Sequence, residues 1–357
     1  MPKIAMPRIG VLTSGGDAPG MNTALYAFTK LAARRGVQTV GFVGGYEGLM
    51  ANRRQILTPR DVDTISNLGG TILGSARSER FRTVEGRAQA AANLADLDAL
   101  VVIGGNGSLA GARRLGEESG VCVVGIPASI DNDIACTSNA IGVDTALNTI
   151  VGACDRISDT ARAHRRVFVV EVMGRHCGYL AMASSVASGA DACLYRESGK
   201  TDAERVAELK EIISKGLDPT RGKQRILIIK AEGVRMGTQE LCETLQSYVD
   251  QELPGVSVRA TVLGHLVRGG QPSYQDRALA GRLAFQALEL AMAGTGGVML
   301  GWQPWDTQGG TPTPDAAVWH YPLSLVESRT ESLLDGSHPT TKRRVQMMEN
   351  IAGVLAV

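Results

Sequence analysis

Two carboxylates stand two positions apart in the segment 127–133, whose sequence is PASIDND. The segment follows an apolar run, so we expect Asp131 and Asp133 in a turn at the end of a buried strand. One such carboxylate can accept the proton of an attacking hydroxyl while the other helps to hold a metal ion beside a transferring phosphate. The spacing suits phosphoryl transfer, and the alternative for the same residues is a solvated, Asx-rich surface turn.

Two other segments combine paired glycines with small polar residues, and each also follows an apolar run. They are 13–22 (TSGGDAPGMN) and 104–108 (GGNGS). Paired glycines let backbone N–H groups approach a phosphate closely, and a helix that starts after the turn adds its positive end. A tight structural turn is the alternative for each segment. A dinucleotide site at 104–108 is disfavoured, because the next apolar run ends in Gly125 where a ribose-binding acid is required.

Cationic side chains that could bind phosphate occur in short segments farther along the chain. They are Arg166, the tripeptide Met173-Gly174-Arg175, Arg259, and His265 and Arg268 in the segment 264–270 (GHLVRGG). Arginine offers phosphate oxygens a fixed fork of donors, and Arg175 beside a flexible glycine could also steady charge on a transferring group. This supply of cations favours phosphoryl transfer over a surface turn at 127–133.

The composition narrows the classes of partner and compartment. The 357 residues include 37 lysines and arginines against 36 acids, so no long-range field favours nucleic acid or an anionic membrane. The six cysteines are scattered, without the paired spacing of a zinc or redox site. The sequence shows no signal-peptide core and no membrane-length apolar run, so we expect a cytoplasmic protein.

Six short apolar runs are typical of strands buried on both faces. They are 9–12, 40–43, 100–103, 121–124, 167–170 and 226–229. Helical stretches lie between many of them, which predicts an α/β fold with mainly parallel sheets covered by helices. One helix is marked at its start by a capping box of Thr201 and Glu204. That cap, together with Leu194 in place of a leading glycine, argues against a P-loop at Gly199-Lys200-Thr201.

The motifs resemble those of the 6-phosphofructokinases, in the bacterial-type, ATP-dependent branch of the superfamily, and they follow in unbroken order from about Ile9 to about Pro272. The matching segments are IGVLTSGGDAPGMN, GGTILGSAR, VVIGGNGS, IPASIDNDI, RVFVVEVMGRHCGYL, RATVLGHLVRGG and the region of Glu232. The resemblance implies two Rossmann-like, three-layer lobes. They are a nucleotide-binding lobe of 1–142 plus about 267–317 and a sugar-phosphate-binding lobe of 143–266 plus about 318–357.

The resemblance also implies a role for each matched residue. The nucleotide phosphates would be surrounded by Gly16, Arg77, Ser78, Gly105, Asn106, Gly107 and Ser108. The sugar phosphate would be held by Met173, Gly174, Arg175, Glu232, His265 and Arg268. Ser129 and Asp131 would face the reacting hydroxyl. The family forms homotetramers, in which Arg166 and Arg259 would arrive from a neighbouring subunit.

The implied reaction moves the γ-phosphoryl group of ATP to the 1-hydroxyl of fructose 6-phosphate, which gives fructose 1,6-bisphosphate and ADP in glycolysis. Asp131 would act as the general base, and Mg²⁺ and Arg175 would neutralise charge on the transferring group. Asn106 and Asp133 are the candidate metal ligands.

Five positions depart from the family's pattern, namely Asn106, Ala128, Ser129, Tyr26 and Ser158. Pyrophosphate users typically carry aspartate at the position of Gly107 and lysine at that of Ala128, so the small residues here favour ATP. Asn106 replaces the aspartate that anchors the metal, and magnesium prefers carboxylate oxygen. Tyr26 and Ser158 replace arginines of the bacterial effector site, which predicts weakened allosteric control.

These departures leave two rivals to an ATP-dependent kinase of fructose 6-phosphate. One rival changes the donor to pyrophosphate or the acceptor to a related sugar phosphate. The other is a sugar-phosphate-binding regulatory subunit whose turnover is weakened by Asn106. The retained Asp131 argues against the regulatory subunit, because a pure binding protein needs no general base.

Overall fold

The computed structural model describes residues 6–303 and 308–355, and the chain divides into two compact units. Unit 1 comprises Met1–Thr145 and Arg268–Ser332, and unit 2 comprises Ala146–Val267 and Leu333–Val357. Among the helices of the described residues, none is long and apolar enough to cross a membrane.

The strands of the described residues are β1 (Arg8–Ser14), β2 (Gln38–Phe42), β3 (Arg54–Leu57), β4 (Ala99–Gly104), β5 (Val123–Pro127), β6 (Arg166–Val172), β7 (Ala192–Leu194), β8 (Arg225–Ala231), β9 (Ser257–Val262), β10 (Val298–Trp302), β11 (Thr311–Pro312) and β12 (Val318–Pro322). The α-helices of the same residues are α1 (Met21–Arg34), α2 (Gly45–Met50), α3 (Val84–Ala92), α4 (Asn106–Ser119), α5 (Val143–His164), α6 (Tyr179–Ala187), α7 (Asp202–Gly216), α8 (Thr238–Glu252), α9 (Tyr274–Met292), α10 (Leu323–Asp335) and α11 (Pro339–Leu355). Short 3₁₀ turns occupy Arg80–Arg82, Arg196–Ser198, Pro219–Arg221 and Gly264–Arg268.

Unit 1 contains an eight-stranded sheet in the order β11-β12-β10-β5-β4-β1-β2-β3. The five strands from β10 to β2 pair in parallel, whereas β12 and β3 pair antiparallel with their inner neighbours. Every residue of β4 and β5 is buried, as expected for parallel strands that are covered by helices. Helix α1 packs against α9, and both α4 and α9 pack on β4 and β5.

Unit 2 contains a four-stranded, fully parallel sheet in the order β7-β8-β6-β9. Its apolar core joins Val167 of β6 and Ile228 of β8 to Leu209 of α7 and Leu245 of α8. The burial of these side chains on both the strands and the helices holds the sheet against the two helices.

The capping box predicted ahead of α7 is confirmed. The Thr201 hydroxyl accepts a hydrogen bond from the Glu204 N–H at 3.3 Å, and the Glu204 carboxylate accepts one from the Thr201 N–H at 2.7 Å. Thr201 therefore pairs a backbone N–H in the first turn of α7 that has no partner within the helix, as expected from the sequence.

An ion pair between a buried lysine and a half-buried glutamate ties the ends of two neighbouring strands of unit 2. Lys230 on β8 is 1% exposed, and its Nζ lies 3.0 Å from the carboxylate of Glu171, its register partner on β6. Thr238, at the start of α8, donates to the same carboxylate. Because a buried charge is costly without a partner, this pair fixes the loops that leave β6 and β8.

The predicted α/β class with mainly parallel sheets is confirmed, and each of the six apolar runs overlaps a strand. Two of the three predicted lobe boundaries, at 142 and about 267, lie within three residues of the unit boundaries, and the third differs more. The sequence assigned 318–357 to the second lobe, whereas 318–332 lies in unit 1, where β12 pairs with β10 along its length. The pattern of one strand cannot indicate which of two sheets it joins, because that choice depends on long-range pairing.

Candidate active site

The carboxyl ends of β1, β4 and β5 meet at one edge of the unit 1 sheet. In the register, Ser14 stands opposite Gly104, and Gly104 stands opposite Pro127. Each glycine-rich or acidic segment singled out in the sequence begins at one of these ends. Parallel pairing therefore brings the three segments together, at the edge where ligands bind in open α/β sheets.

Gly104 stands where the first two of these segments approach each other closely. A Cβ at this position would lie 2.5 Å from the Ser14 carbonyl oxygen and 2.8 Å from the Ser108 Cβ. The next glycine, Gly105, precedes α4, so the helix starts without a side-chain cap at that residue. The first N–H groups of α4 lack intrahelical partners, which gives this turn the character of an anion site.

A cavity of 590 Å³ opens at this edge. It is lined by every unit 1 residue that the sequence analysis assigned to the nucleotide, the reacting hydroxyl, the metal or the sugar phosphate: Gly16, Arg77, Ser78, Gly105, Asn106, Gly107, Ser108, Ser129, Asp131, Asp133 and Arg268. The cavity is large enough for a nucleotide-sized ligand. Its lining combines the α4 amides, arginines and carboxylates, which is a set suited to phosphate and to a metal ion.

Hydrogen bonds hold the acidic turn in place. The Ser129 hydroxyl donates to one Asp133 oxygen at 2.9 Å, and the Asn106 amide donates to the other at 2.7 Å. Between them in sequence, Asn132 has a left-handed φ of +48° and is buried, and its amide donates to the Ser138 carbonyl at 2.9 Å. The half-buried Asp131 is thus presented to the cavity from a fixed backbone.

The side-chain amide of Asn106 uses its nitrogen in hydrogen bonds, whereas its oxygen makes none among the described residues. Its Nδ2 donates to both the side chain and the carbonyl of Asp133, whereas its Oδ1 is buried and has no hydrogen-bond partner among the described residues. Within those residues no cluster of three or more His, Cys, Asp or Glu could hold a metal. A metal site here would use the Asn106 oxygen, the Asp133 carboxylate and oxygens of a ligand, which is the sparse protein ligand set that Mg²⁺ accepts.

An aromatic stack that the sequence analysis missed forms one wall of the cavity. The rings of Tyr46 and Phe81 lie 3.7 Å apart between centroids and are tilted by only 12°. The Tyr46 hydroxyl donates to the Ser108 carbonyl at 2.6 Å, and burial raises the pKa of Tyr46 well above its usual range. The two residues are 35 positions apart in the chain, so only the fold could bring them together; isolated aromatics in the sequence indicate no more than core.

Arg268 reaches the first glycine-rich turn. Its Nη1 donates to the Asp17 carbonyl at 3.2 Å, and a Cβ on Gly16 would lie 2.8 Å from the same nitrogen. The absence of a side chain at Gly16 thus leaves room for the guanidinium at the cavity wall.

The loops that follow β6 and β8 meet in unit 2. The Glu232 N–H donates to the Val172 carbonyl at 2.9 Å, and a Cβ on Gly233 would lie 2.3 Å from the Arg175 carbonyl oxygen. The Arg175 Nε lies 3.9 Å from the Glu232 carboxylate. Of the predicted sugar-phosphate residues, the structure therefore brings together the segment 173–175 and Glu232. His265 is exposed in the 3₁₀ turn after β9.

Arg166 and Arg259 do not join that group within one chain. Arg166 is the first residue of β6, and the loop carrying Arg175 follows the last residue, about 20 Å away at the rise of a strand. Arg259 stands opposite Phe168, also well before the end of β6. Both arginines thus lie away from the carboxyl edge of their own sheet.

The comparisons with known proteins point in one direction. The family model described as phosphofructokinase matches residues 8–291. An ATP-dependent 6-phosphofructokinase of Photobacterium profundum is 44% identical over 298 residues, covering 83% of this chain and 89% of that protein. ATP-dependent 6-phosphofructokinase 1 of Thermus thermophilus is 45% identical over 299 residues, with the same coverage of 83% and 89%. The solved phosphofructokinase of Saccharomyces cerevisiae matches 98% of this chain with a TM-score of 0.83 and 30% identity, and this chain spans 50% of the yeast chain.

Gly104→Ala should destabilise the protein by about 1–3 kcal/mol, because the new methyl group would overlap a backbone oxygen that cannot move without disturbing β1. Gly107→Ala is the matched control. Its Cβ would have no atom within 4 Å, and alanine inside α4 should stabilise by up to about 1 kcal/mol. Urea unfolding of both variants measures the difference, and equal stability would contradict the close approach at Gly104.

Proposed function

Because this chain belongs to the phosphofructokinase family, we propose that it transfers the γ-phosphoryl group of ATP to the 1-hydroxyl of fructose 6-phosphate. The products are fructose 1,6-bisphosphate and ADP. The observation that carries the proposal is the unit 1 cavity, where a carboxylate, the first turn of α4 and an arginine converge. The activity in the names of the bacterial relatives supports the same reaction.

Asp131 is the proposed general base. As the hydroxyl oxygen bonds to the γ-phosphorus, its proton passes to the Asp131 carboxylate, and the bond from the γ-phosphorus to the bridging oxygen breaks. ADP leaves with the electron pair of that bond. Ser129 and Asn106 both donate to Asp133, so each also helps to hold the turn that presents Asp131.

Charge on the phosphates is met by fixed groups of the cavity. The α4 amides point to the place where an anion would bind, and Arg268 adds a full positive charge beside Gly16. Such preorganised groups need little rearrangement as charge moves during transfer. Arg175 keeps its proposed role of neutralising the transferring group.

Mg²⁺ is proposed to bind at Asn106 and Asp133. When bound it would neutralise charge on the β- and γ-phosphates of ATP. The Asn106 Oδ1 supports this assignment, because it is buried without a hydrogen-bond partner among the described residues, and a polar oxygen that has lost water costs free energy unless a ligand replaces the water. Asn106 also donates to Asp133, an interaction that an aspartate at this position could not make.

The shape of the cavity supports ATP as the donor. Around the position that a Cβ of Gly107 would occupy, no atom lies within 4 Å, so the entrance beside the α4 amides is open. Beyond it, the stack of Tyr46 and Phe81 supplies an apolar wall that pyrophosphate has no group to contact. An adenosine moiety can bury apolar area there.

The sugar phosphate is proposed to bind Met173, Gly174, Arg175, Glu232, His265 and Arg268. The 3.9 Å pair of Arg175 and Glu232 supports this for unit 2, because a guanidinium that is 73% exposed remains accessible to a phosphate. Glu232 would then accept hydrogen bonds from sugar hydroxyls.

A shared site between subunits is proposed for Arg166 and Arg259, in a homotetramer. The placement of both arginines away from the loop of Arg175 supports this, since a second copy could supply them where the same chain cannot. The cytoplasm is the proposed compartment. Free thiols at Cys122, Cys154 and Cys242 agree with a reducing environment.

Asp131→Ala should lower kcat by about 10²–10⁴-fold and leave the dissociation constant for fructose 6-phosphate nearly unchanged, because only proton transfer is lost. A coupled assay for fructose 1,6-bisphosphate and calorimetric titration measure the two quantities. Asp63→Ala removes an exposed carboxylate and serves as the control. Preserved turnover in Asp131→Ala would remove this residue from the role of base.

Asn106→Asp should place a second carboxylate beside Asp133, so that repulsion lowers the unfolding temperature in the absence of Mg²⁺ and added Mg²⁺ restores it. The half-saturating Mg²⁺ concentration for ATP turnover should fall by about tenfold. Asn139→Asp adds the same charge elsewhere in the loop as a control. Turnover that appears only in Asn106→Asp would favour the regulatory rival over an active kinase.

Subunit mixing tests the shared site. Asp131→Ala and Arg166→Ala should each be nearly inactive, and coexpression should recover about a quarter of the wild-type sites, because half of the randomly formed pairs are hybrids with one intact site of two. Asp131→Ala mixed with Arg268→Ala is the control, since both changes fall in the cavity of one unit 1. No recovery in the first mixture would contradict sharing.

A further inference from the structure

The loop of residues 173–178, between β6 and α6, carries three residues of the proposed sugar-phosphate site. Gly174 has a φ of +129°, and a Cβ there would lie 2.5 Å from the Cys177 carbonyl oxygen. The loop therefore folds back tightly on itself. Met173 and Cys177 are buried, whereas the Arg175 side chain is 73% exposed. The shape of the loop thus decides where the Arg175 guanidinium is presented.

Two other loops of unit 2 hold this loop. The Glu197 carboxylate accepts a hydrogen bond from the Gly178 N–H at 2.7 Å. On another side, the backbone at Gly233 approaches the Arg175 carbonyl so closely that only glycine fits. Both contacts restrain the loop through its backbone.

The third contact comes from α11, through one arginine. The guanidinium carbon of Arg344 lies 4.3 Å from the centre of the Tyr179 ring, and its Nη1 lies 3.8 Å from the Cys177 sulfur. Tyr179 is the first residue of α6, directly after the loop. A guanidinium over an aromatic face is an attractive arrangement, and it is stronger where water is partly excluded.

Helix α11 is itself anchored where it presents Arg344. Met348, one turn later on the same face, is 3% exposed and packs against Met182 of α6 and Tyr195. Val345 and Ile351 pack against the same cluster. The family match ends at residue 291, so this helix lies beyond the matched region.

We propose that Arg344 is a positioning residue for the sugar-phosphate site. From α11 it braces the loop 173–178 through Tyr179 and Cys177, and the brace keeps Arg175 in the place where it binds the phosphate. The inference rests on the proposed function for the identity of the ligand. Arg344 contacts unit 2 residues, so its loss should weaken the binding of the sugar phosphate and leave the binding of ATP unchanged.

Arg344→Ala should raise the KM for fructose 6-phosphate by about tenfold, equivalent to about 1.4 kcal/mol. The kcat should also fall, because a displaced Arg175 neutralises the transferring group less well, whereas the KM for ATP should stay within about twofold. Arg344→Lys keeps a cation over the ring and should recover most of the affinity. Arg343→Ala, an exposed neighbour on the same helix, is the matched control.

A second pair of variants separates bracing from general stability. Tyr179→Phe keeps the aromatic face, so its KM for fructose 6-phosphate should equal that of wild type. Tyr179→Leu should raise this KM as much as Arg344→Ala does. The double variant with Tyr179→Leu and Arg344→Ala should raise it no further than either single change. An unchanged KM for fructose 6-phosphate in Arg344→Ala would overturn the inference. The inference would also be overturned if Arg344→Ala raised the KM for fructose 6-phosphate and the KM for ATP together and lowered the unfolding temperature, because that result indicates a general loss of stability. If Arg344→Ala does not fold, Arg344→Met keeps the aliphatic stem and decides the same comparison.

Hydrogen exchange distinguishes failure of this inference from failure of the proposed function. Amides of 174–180 should exchange faster in Arg344→Ala than in Arg343→Ala, whatever the substrate. If the wild type does not phosphorylate fructose 6-phosphate, the proposed function fails and faster exchange still supports the brace. Equal exchange in the two variants overturns the brace in either case.

Discussion

Parallel pairing of β1, β4 and β5 is the constraint on which the unit 1 cavity depends. Because the strands run in one direction, their carboxyl ends deliver three separate segments of the chain to one edge. Gly104 sits at the centre of this convergence, where a side chain would overlap the Ser14 carbonyl. The α4 amides, the acidic turn and Arg268 follow from that geometry, since each is attached to a strand end or reaches one.

Asn106 gives the cavity one negative charge fewer than an aspartate at the same position would. An amide can donate to Asp133 and still present an oxygen, whereas two carboxylates at this separation would repel each other unless a cation lay between them. The acidic turn is therefore held together by hydrogen bonds that need no metal. The cavity thereby has one full negative charge fewer for the proposed Mg²⁺.

In unit 2, an ion pair at the strand ends fixes the loops of the proposed sugar-phosphate site. The pair of Lys230 and Glu171 ties the ends of β8 and β6, and the loops that leave those ends bring Arg175 and Glu232 together. Each loop is short and tightly folded, so small displacements of the backbone would move the exposed groups of the proposed sugar-phosphate site. Contacts of Glu197, Gly233 and α11 with the loop 173–178 restrain such displacements.

The sequence by itself determined the α/β class, the strand runs, the cap of α7 and the glycine-rich and acidic segments of the unit 1 cavity, because periodicity, capping and glycine-rich turns are local signals. Only the tertiary structure decided which sheet β12 joins, how Tyr46 meets Phe81, and that Arg166 lies at the far end of β6 from Arg175. It also decided that Asn106 donates to Asp133 while its oxygen stays unpartnered among the described residues. Such facts depend on strand pairing and on packing between residues far apart in the chain, and neighbouring residues carry no record of them.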